Sequence, residues 1–352
     1  MAGVPSEARR RTLADVARAV GLSVNTVSRA LNGLSGVSEP TRARIRAEAD
    51  RIGYLPNVHA RSLVLGSRRT IGLVITNVSN PFYAELISEI EAHTSDAGYT
   101  LMLLLSDESE SRELEAAETA VKSGVDGVIV VPVQGRHNPW ASLAKAGIPV
   151  VVVNRELPDL KSDFVSTDNE AGAYAATCHV IDRGATSVVL IEEDLPISTI
   201  DNRVAGFRRA LADHGMTIDD RSVVAVPTRR SARAALPWQA DDSYRVAVDL
   251  LERGHRPDAF FVGNDYFALG LYRALAEHGL TVPDDVMVVG FGDYPFSAFL
   301  TPSLSTVRLP ARQVASLAIR RLLARLDGDP PPEEPLSSYV PPELVARGST
   351  RR

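Results

Sequence analysis

The chain has 352 residues, of which 45% are hydrophobic and 23% charged, a composition typical of globular rather than disordered proteins. This length predicts one small and one large domain, or two to three folded units. The sequence has no apolar run of membrane-spanning length and no apolar core of a secretory signal near its start, and its single cysteine excludes an internal disulfide framework. We therefore expect a cytoplasmic protein with no membrane partner.

Charge is distributed unevenly along the chain, whose formal net charge is −6. Residues 1–70 contain twelve arginines, no lysine and five acids, which gives this head a charge of +7 and leaves −13 for the remainder. A basic head on an acidic body is the charge pattern of a DNA-binding module attached to a second domain.

Three short helices are predicted in the head. The first carries apolar residues at positions 13, 16, 17 and 20, one stripe of a helix, and Gly21 ends it. Ser23 is a suitable N-cap for a second helix over 24–31, and a third helix begins near Ser38 and ends at Gly53. Two short helices joined by a glycine turn and braced by a third predict a helix-turn-helix.

The exposed face of the second helix carries residues suited to reading DNA bases. Arg29 has the geometry to bridge guanine, Asn25 to bridge adenine, and Val24 to contact a thymine methyl group in the major groove. The alternative is a plain three-helix bundle whose polar face is only solvated. The agreement of turn, apolar stripe and local charge favours DNA binding.

From Thr70 onward, short β-branched runs alternate with helical stretches. Continuous apolar strands alternating with helices indicate parallel sheets that are covered on both faces, and two such series predict two doubly wound lobes. The predicted strands are 71–75, 100–105, 127–131, 150–153, 164–166, 187–191, 223–226, 259–262 and 286–291. The predicted helices lie near 81–97, 111–123, 139–146, 169–183, 201–214, 241–253 and 265–278.

Polar and aromatic residues follow several of these strands. Ligands of open α/β sheets bind outside the carboxyl ends of the strands, so these residues are the candidate ligand contacts. Hydrogen-bonding side chains together with aromatic rings suit a polyhydroxylated ligand. The candidates include Phe82 and Tyr83 after the first strand, Arg155 after the fourth, and Arg203, Asn264 and Asp293 further along the chain.

The head and body together resemble the LacI/GalR family of transcriptional repressors. The resemblance begins with TLADVARAVGLSVNTVSRALNG, VSEPTRARI, IGYLPN and NVHARSLVLGSRRTIGLVI. It continues through NPFY, VVNR, STDNEAGAYAATCHVIDRG, RVAGFRRAL, VGNDYFALGLYRAL, VPDDVMVVGFGD and PSLSTVRLP to the closing VPPELVARGST. The matching segments run in order from Thr12 to Thr350, nearly the whole chain.

The resemblance implies a domain plan. It consists of a helix-turn-helix domain at 1–56, a hinge at 57–69, and a two-lobed, periplasmic-binding-protein-like effector and dimerisation domain at 70–352. We place the first lobe at about 70–166 and 297–328, and the second at about 167–296 and 329–352.

The resemblance also implies roles for single residues. The hinge becomes helical on operator DNA, where Leu63, helped by Ala60 and Arg61, wedges into the minor groove and bends the duplex; the alternative for Leu63 is interdomain packing. In the body, the residues expected to line the effector cleft are Phe82, Tyr83, Arg203, Asn264 and Trp238. The alternative for Trp238 is core or rim packing. The alternatives for the others are packing at a helix start or a surface ion pair.

Two positions depart from the family pattern. The family usually has an acid directly after the aromatic residue of GFGD, and that acid grips sugar hydroxyls, whereas Gly292 occupies this place and Asp293 follows it. Asn154 stands where the family often has aspartate. These departures leave the effector open: another sugar, a phosphorylated or non-sugar ligand, or weak binding.

Two rival functions agree less well with the sequence. An α/β enzyme has little support, because GFGDYP has Pro295 where a dinucleotide loop needs its third glycine, and neither HExxH nor GxSxG occurs. A sugar-binding protein without a DNA function leaves the basic head unexplained. We expect no enzyme activity, no cofactor and no metal.

The sequence therefore predicts a homodimeric transcriptional regulator at the nucleoid, by default a repressor. A pseudo-palindromic operator requires two heads, and family resemblance places the dimer contact in the first lobe, with a contribution from helix 83–97. The sequence leaves open the effector, the sign of its effect, the operator and the target genes. Residues expected to contact phosphates and set the register are Thr12, Arg18, Ser28, Asn32, Arg42 and Arg44.

Overall fold

The chain divides into two compact units, residues 1–69 and residues 70–352. The computed structural model describes residues 11–54, 68–219, 221–227, 238–328 and 336–351. The predicted hinge contacts Ala60, Arg61 and Leu63 lie outside the described residues.

The head is a bundle of three helices, as its sequence predicts. They are α1 (Leu13–Val20), α2 (Val24–Leu31) and α3 (Glu39–Arg51). Thr12 caps α1 in a reciprocal capping box with Asp15, and Gly21, at φ 66°, ends that helix. The helices enclose a small apolar core built from Val16, Ala17, Val27, Ala30, Ile45 and Ala49.

The larger unit contains two six-stranded sheets. The first is built from β1 (Thr70–Ile75), β2 (Thr100–Leu105), β3 (Gly127–Val130), β4 (Val150–Val153), β5 (Asp163–Thr167) and β11 (Ser337–Val340). The second is built from β6 (Val188–Asp194), β7 (Val223–Pro227), β8 (Ala259–Val262), β9 (Met287–Gly292), β10 (Ser305–Arg308) and β12 (Glu343–Val345). The strand orders are β11-β5-β4-β3-β1-β2 and β12-β10-β9-β8-β6-β7, and every pairing is parallel except the antiparallel β10–β12.

Helices cover both faces of each sheet. They are α4 (Pro81–Asp96), α5 (Glu110–Ser123), α6 (Trp140–Lys145), α7 (Asn169–Ile181), α8 (Ser198–Asp213), α9 (Ala240–Glu252), α10 (Asp265–Glu277) and α11 (Ala311–Leu326). The helix α11 was not predicted from the sequence. It packs against α4 and against β3, β4 and β5, where Val314, Ala318 and Leu322 join the core of the first sheet.

The chain crosses between the sheets later than the predicted lobe boundaries. The strand β10 pairs with β9 in the second sheet, although 297–328 was assigned to the first lobe. The strand β11 pairs with β5 in the first sheet, although 329–352 was assigned to the second lobe. The actual crossings lie between β10 and α11 and between β11 and β12, because each short strand extends a sheet edge that the preceding strands leave open. We name the two sheets with their helices the first and second lobes.

Candidate functional site

A cleft lies between the carboxyl ends of the two sheets. The space among its lining side chains measures about 550 Å³, including the part that opens to solvent. Both lobes contribute, as expected for ligand sites of open α/β sheets. Six of the seven predicted effector contacts line it: Phe82, Tyr83, Arg155, Arg203, Trp238 and Asn264.

The seventh predicted contact, Asp293, does not line this cleft. Its carboxylate accepts hydrogen bonds from Nε of Arg308 at 2.7 Å and Nη2 of Arg347 at 2.6 Å. Asp293 has a left-handed φ of 52°, which turns the chain after β9, and both of its oxygens are engaged by arginines of β10 and the closing segment. The structure therefore gives Asp293 a role in fastening the end of the chain to the second lobe.

Arg203 is held by a carboxylate that the sequence analysis did not single out. The Nε and Nη2 atoms of Arg203, on α8, donate to the two oxygens of Glu192 on β6 at 2.7 and 3.0 Å. The guanidinium also lies 5.2 Å from the centre of the Phe291 ring, a cation–π contact. Gly263 leaves room for this pair, because a Cβ there would stand 2.0 Å from Glu192 Oε2.

Arg155 has an equivalent arrangement in the first lobe. Its Nη1 and Nη2 donate to the carboxylate of Glu108 at 2.7 and 2.6 Å, and Nη1 also donates to the Pro132 carbonyl at 3.0 Å. The Arg155 side chain is 1% exposed and that of Glu108 5%. Bidentate pairing of this kind offsets the charge of a buried guanidinium.

Trp238 lies at the cleft with its ring nitrogen already engaged. Its Nε1 donates to Oε2 of Glu193 at 3.1 Å, and its ring stacks on Tyr266 with 6.0 Å between centroids and 10° between planes. Trp238 is also packed within the core of the second lobe, so it serves both packing and the cleft wall. An indole face of this kind suits the C–H face of a sugar ring.

Tyr294 links the two lobes across the cleft. Its hydroxyl accepts a hydrogen bond from Nδ2 of Asn264 at 3.1 Å and donates to Oδ1 of Asn80 at 3.3 Å. The same Oδ1 of Asn80 caps α4 by accepting from the Phe82 amide, and Asn264 caps α10 through its own Oδ1. Both amide side chains are thereby oriented, so the direction of the hydrogen-bond chain is fixed.

A second link joins the lobes at Gln134. Its Oε1 accepts from the amide of Ser198, the first residue of α8, at 2.9 Å, and its Nε2 donates to the Glu156 carbonyl at 2.9 Å. Gln134 itself has a left-handed φ of 62°, a conformation uncommon for residues other than glycine. The cleft is thus bordered by direct contacts between the lobes at Gln134 and at Tyr294.

A buried acid positions the loop that carries Tyr294. The carboxylate of Asp265, which is fully buried, accepts hydrogen bonds from Ser297 Oγ at 2.6 Å, Thr306 Oγ1 at 2.7 Å and the Tyr294 amide at 3.2 Å. Burial raises the pKa of this carboxyl, while these three hydrogen bonds lower it in part. Asp265 connects β10, α10 and the loop after β9, and so fixes the Tyr294 backbone.

The cleft residues missing from the predicted contacts include Asn80, Glu192, Glu193 and Tyr294. Asn80 and Tyr294 stood among the residues that follow predicted strands, so the strand-end rule pointed to them. The run Glu192-Glu193 lies just beyond the predicted strand 187–191. With Asp194 it forms a run of three acids at the carboxyl end of a buried strand, and the same pattern fits a solvated strand end.

The exposed start of α2 carries two of the three predicted base-reading residues. Val24 is 47% exposed and Asn25 is exposed beside it. Arg29 is only partly exposed, and its Nε and Nη2 both donate to the Ser35 carbonyl in the turn after α2, the Nε bond measuring 3.1 Å. Arg29 supports that turn, and reading a base would require it to exchange this carbonyl for a base edge.

Several predicted phosphate contacts also hold the head together. Arg42 is 11% exposed and donates to the Ala30 and Leu34 carbonyls at 2.8 and 3.1 Å. Arg44 is exposed and donates to the Val20 carbonyl, and Arg18, 79% exposed, pairs with Asp15. Thr12 is the α1 cap, and Asn32 donates to Ser28 Oγ at 3.3 Å. Arg18 and Arg44 are both exposed, and the phosphate contacts remain predictions.

No cluster of three or more potential metal ligands occurs within the described residues. In the same part of the chain, no helix is long and apolar enough to cross a membrane.

Each of the two units contains a segment that matches a known protein family. Residues 12–57 match the family described as bacterial regulatory proteins, lacI family, and residues 177–350 match the periplasmic binding protein-like domain. The ribose operon repressor of Escherichia coli strain K12 is 32% identical over 340 residues, which cover 96% of this chain and 99% of that protein.

Solved structures are similar over nearly the full chain. The lac repressor dimer bound to operator and the anti-inducer ONPF superposes with a TM-score of 0.85 at 23% identity, covering 97% of this chain and 99% of that one, which shows the fold. The transcriptional regulator CelR in complex with cellobiose gives 0.70 at 27% identity, covering 97% and 100%. With a relative of 32% identity along almost its entire length, this chain belongs to the lacI family of bacterial regulatory proteins.

Proposed function

We propose that this protein is a transcriptional regulator that binds a pseudo-palindromic operator and responds to a small molecule, a sugar or sugar derivative, in the cleft between its lobes. The observation that carries the proposal is this cleft, in a chain that also carries a helix-turn-helix head. Six residues that were predicted from the sequence to contact the effector line this cleft.

The head is proposed to read the operator through α2. Val24 and Asn25 are exposed at the start of that helix and are placed to reach base edges. Arg29 is the third proposed base contact, and Arg18 is proposed to contact phosphate together with Thr12, Ser28, Asn32, Arg42 and Arg44. The hinge residues Ala60, Arg61 and Leu63 are proposed to enter the minor groove.

The functional form is proposed to be a homodimer. A two-fold operator needs two heads, and the lac repressor similar in fold is described as a dimer on its operator. We propose that α4 of the first lobe contributes to the contact. The ribose operon repressor is named for a sugar operon and CelR is described with cellobiose, which supports a sugar-like effector. We further propose repression as the default action, without catalysis, at the nucleoid.

The test begins with selection of genomic fragments by the purified full-length protein. We expect one pseudo-palindromic site to be enriched, and the analytical ultracentrifuge to show two chains on each duplex of that site. Asn25→Ala should weaken binding to this site more than to scrambled DNA, whereas Glu277→Gln, an exposed change on α10, should bind like wild type. Binding to all sequences with equal affinity and strong salt dependence would contradict a specific regulator.

A further inference from the structure

The cationic side chains of the cleft each have a buried carboxylate partner. Among the described lining residues these cations are Arg155 and Arg203, which are 1% and 9% exposed. Arg203 pairs with Glu192 through two hydrogen bonds, and Arg155 pairs with Glu108 through two. A third carboxylate, that of Glu193, lies at the same strand end as Glu192 and is 5% exposed.

The pair of Arg203 with Glu192 is built into the packing of the second lobe. The Phe291 ring lies under the guanidinium at 5.2 Å. Any side chain larger than hydrogen at Gly263 would collide with the Glu192 carboxylate, since its Cβ would approach Oε2 to 2.0 Å. The guanidinium therefore does not enter the cleft as an isolated positive charge. It lies there as one half of a neutral pair.

An anionic ligand gains little from such a pair. Phosphate and carboxylate groups bind arginine best through two parallel N–H donors, and one such pair of Arg203, formed by Nε and Nη2, already serves Glu192. A buried anion also loses its hydration, and that loss is recovered only by good pairing. An anion near Arg203 would in addition lie close to the Glu192 carboxylate, which repels it.

The remaining polar lining is uncharged and matches hydroxyl groups. It consists of amide and hydroxyl side chains, which both donate and accept hydrogen bonds as sugar hydroxyls do. The aromatic rings of Phe82 and Trp238 border the same space. The uncharged polar residues include Asn80, Asn154, Thr167, Asn169, Thr199 and Asn264.

We propose that the cleft selects uncharged polyhydroxylated molecules over their phosphorylated or carboxylated counterparts, and that Glu192 determines this selection by neutralising Arg203. The inference rests on the proposed function and names the chemical class of its effector. The Arg203 Nη1 atom makes no hydrogen bond to another described residue, and its N–H groups are donors left for a neutral ligand oxygen.

The test is calorimetric titration of the full-length protein with matched pairs: D-ribose and D-ribose 5-phosphate, D-glucose and D-glucose 6-phosphate, D-glucose and D-glucuronate, with cellobiose and inorganic phosphate added. At least one uncharged compound should bind to the wild type, and its charged counterpart should bind about 100-fold more weakly or worse, a difference of about 2.7 kcal/mol. Inorganic phosphate should not bind.

The variant Glu192→Gln should release Arg203 from its partner. It should bind inorganic phosphate and narrow the discrimination between neutral and charged sugars about tenfold or more. The control Glu277→Gln removes the partner of Arg273 in an exposed ion pair and should keep wild-type selectivity. If Glu192→Gln does not fold, the wild-type titrations still test whether the cleft selects uncharged compounds over charged ones.

Three results would overturn this inference. They are tighter or equal binding of a charged counterpart to the wild type, failure of every uncharged compound to bind, and wild-type selectivity in a folded Glu192→Gln protein. Operator affinity measured on the same preparations distinguishes a failure of this inference from a failure of the proposed function. Operator binding that a charged compound modulates would overturn the inference alone, whereas loss of specific operator binding would overturn the proposed function.

Discussion

The hydroxyl of Tyr294, in the second lobe, lies 3.3 Å from Oδ1 of Asn80, which caps a helix of the first lobe. This hydrogen bond joins the two lobes at the cleft, and the Asn264 side chain donates a hydrogen bond to the same hydroxyl. A ligand that favours one arrangement of the lobes changes the population of that arrangement. We therefore expect Tyr294 to couple occupation of the cleft to the arrangement of the two lobes.

Removing this hydroxyl should weaken effector binding. Tyr294→Phe keeps the ring and deletes one bond between the lobes, at a cost of about 0.5–1.5 kcal/mol, or roughly two- to tenfold in affinity. Calorimetry with a compound that binds the wild type measures the change. Tyr244→Phe is the matched control, because its hydroxyl bonds the exposed Glu277 away from the cleft. Equal affinities of wild type and Tyr294→Phe would show that the link does not contribute to binding.

Introducing an aspartate at position 292 should lower the stability of the larger unit and abolish effector binding. Gly292 has a φ of +145° and a Cβ there would stand 2.9 Å from the Tyr294 ring, so Gly292→Asp combines backbone strain with a steric clash. We expect a loss of stability of about 1–3 kcal/mol and loss of effector binding. Gly254→Asp controls for strain alone, since φ there is +81° and its Cβ position is open. Chemical denaturation should show a larger loss for Gly292→Asp than for the control.

Acid should destabilise the larger unit through His179. Burial, with a smaller contribution from Arg183, lowers the pKa of this imidazole to about 4 from 6.5, and its nitrogens contact Thr350 Oγ1 at 2.8 Å and Arg183 Nη1 at 3.0 Å. The unfolded chain binds a proton below pH 6.5 and the folded chain only near pH 4. The contribution of neutral His179, on the order of 3 kcal/mol, is therefore present above pH 6.5 and lost as the pH falls to 4.

Urea unfolding between pH 4 and pH 7.5 measures this slope. His179→Asn should be less stable at neutral pH and should flatten the pH dependence of the free energy of unfolding in that window. An unchanged slope in His179→Asn would assign the acid sensitivity to other groups.

Substitution of Arg29 distinguishes base reading from support of the turn. If Arg29 leaves the Ser35 carbonyl for a base, Arg29→Ala should cost about 1–3 kcal/mol at one base position and relax specificity there. Binding to a library of single-base operator variants measures this profile. A uniform loss at all positions, with a lower melting temperature of the head, would instead assign Arg29 to the turn alone.

Most elements were predictable because each leaves a local pattern in the sequence. The helices of the head carry their caps at Thr12 and Ser23, and buried strands such as Val150–Val153 are continuous apolar runs. The sheet to which a short strand belongs has no local signature. Ser305–Arg308 and Ser337–Val340 were for this reason assigned to the wrong lobes, since the choice depends on which sheet edge is open.

The cleft was predictable to the extent that it follows from strand ends. Phe82, Arg203 and Asn264 lie where the strand-end rule places them. The rule cannot say which side chain will pair with which, so the capture of Arg203 by Glu192 was missed. Asp293 fits the rule by position, but two arginines distant in sequence engage its carboxylate.

The central claim is that occupation of the cleft changes operator affinity. The most direct measurement is fluorescence anisotropy of the selected operator with wild-type protein, with and without a saturating compound that calorimetry shows to bind. The account predicts a change of about 5- to 150-fold in the operator Kd, the usual range of coupling between two sites. The direction of that change would identify the compound as inducer or co-repressor. An operator Kd that does not change at saturation would contradict the account.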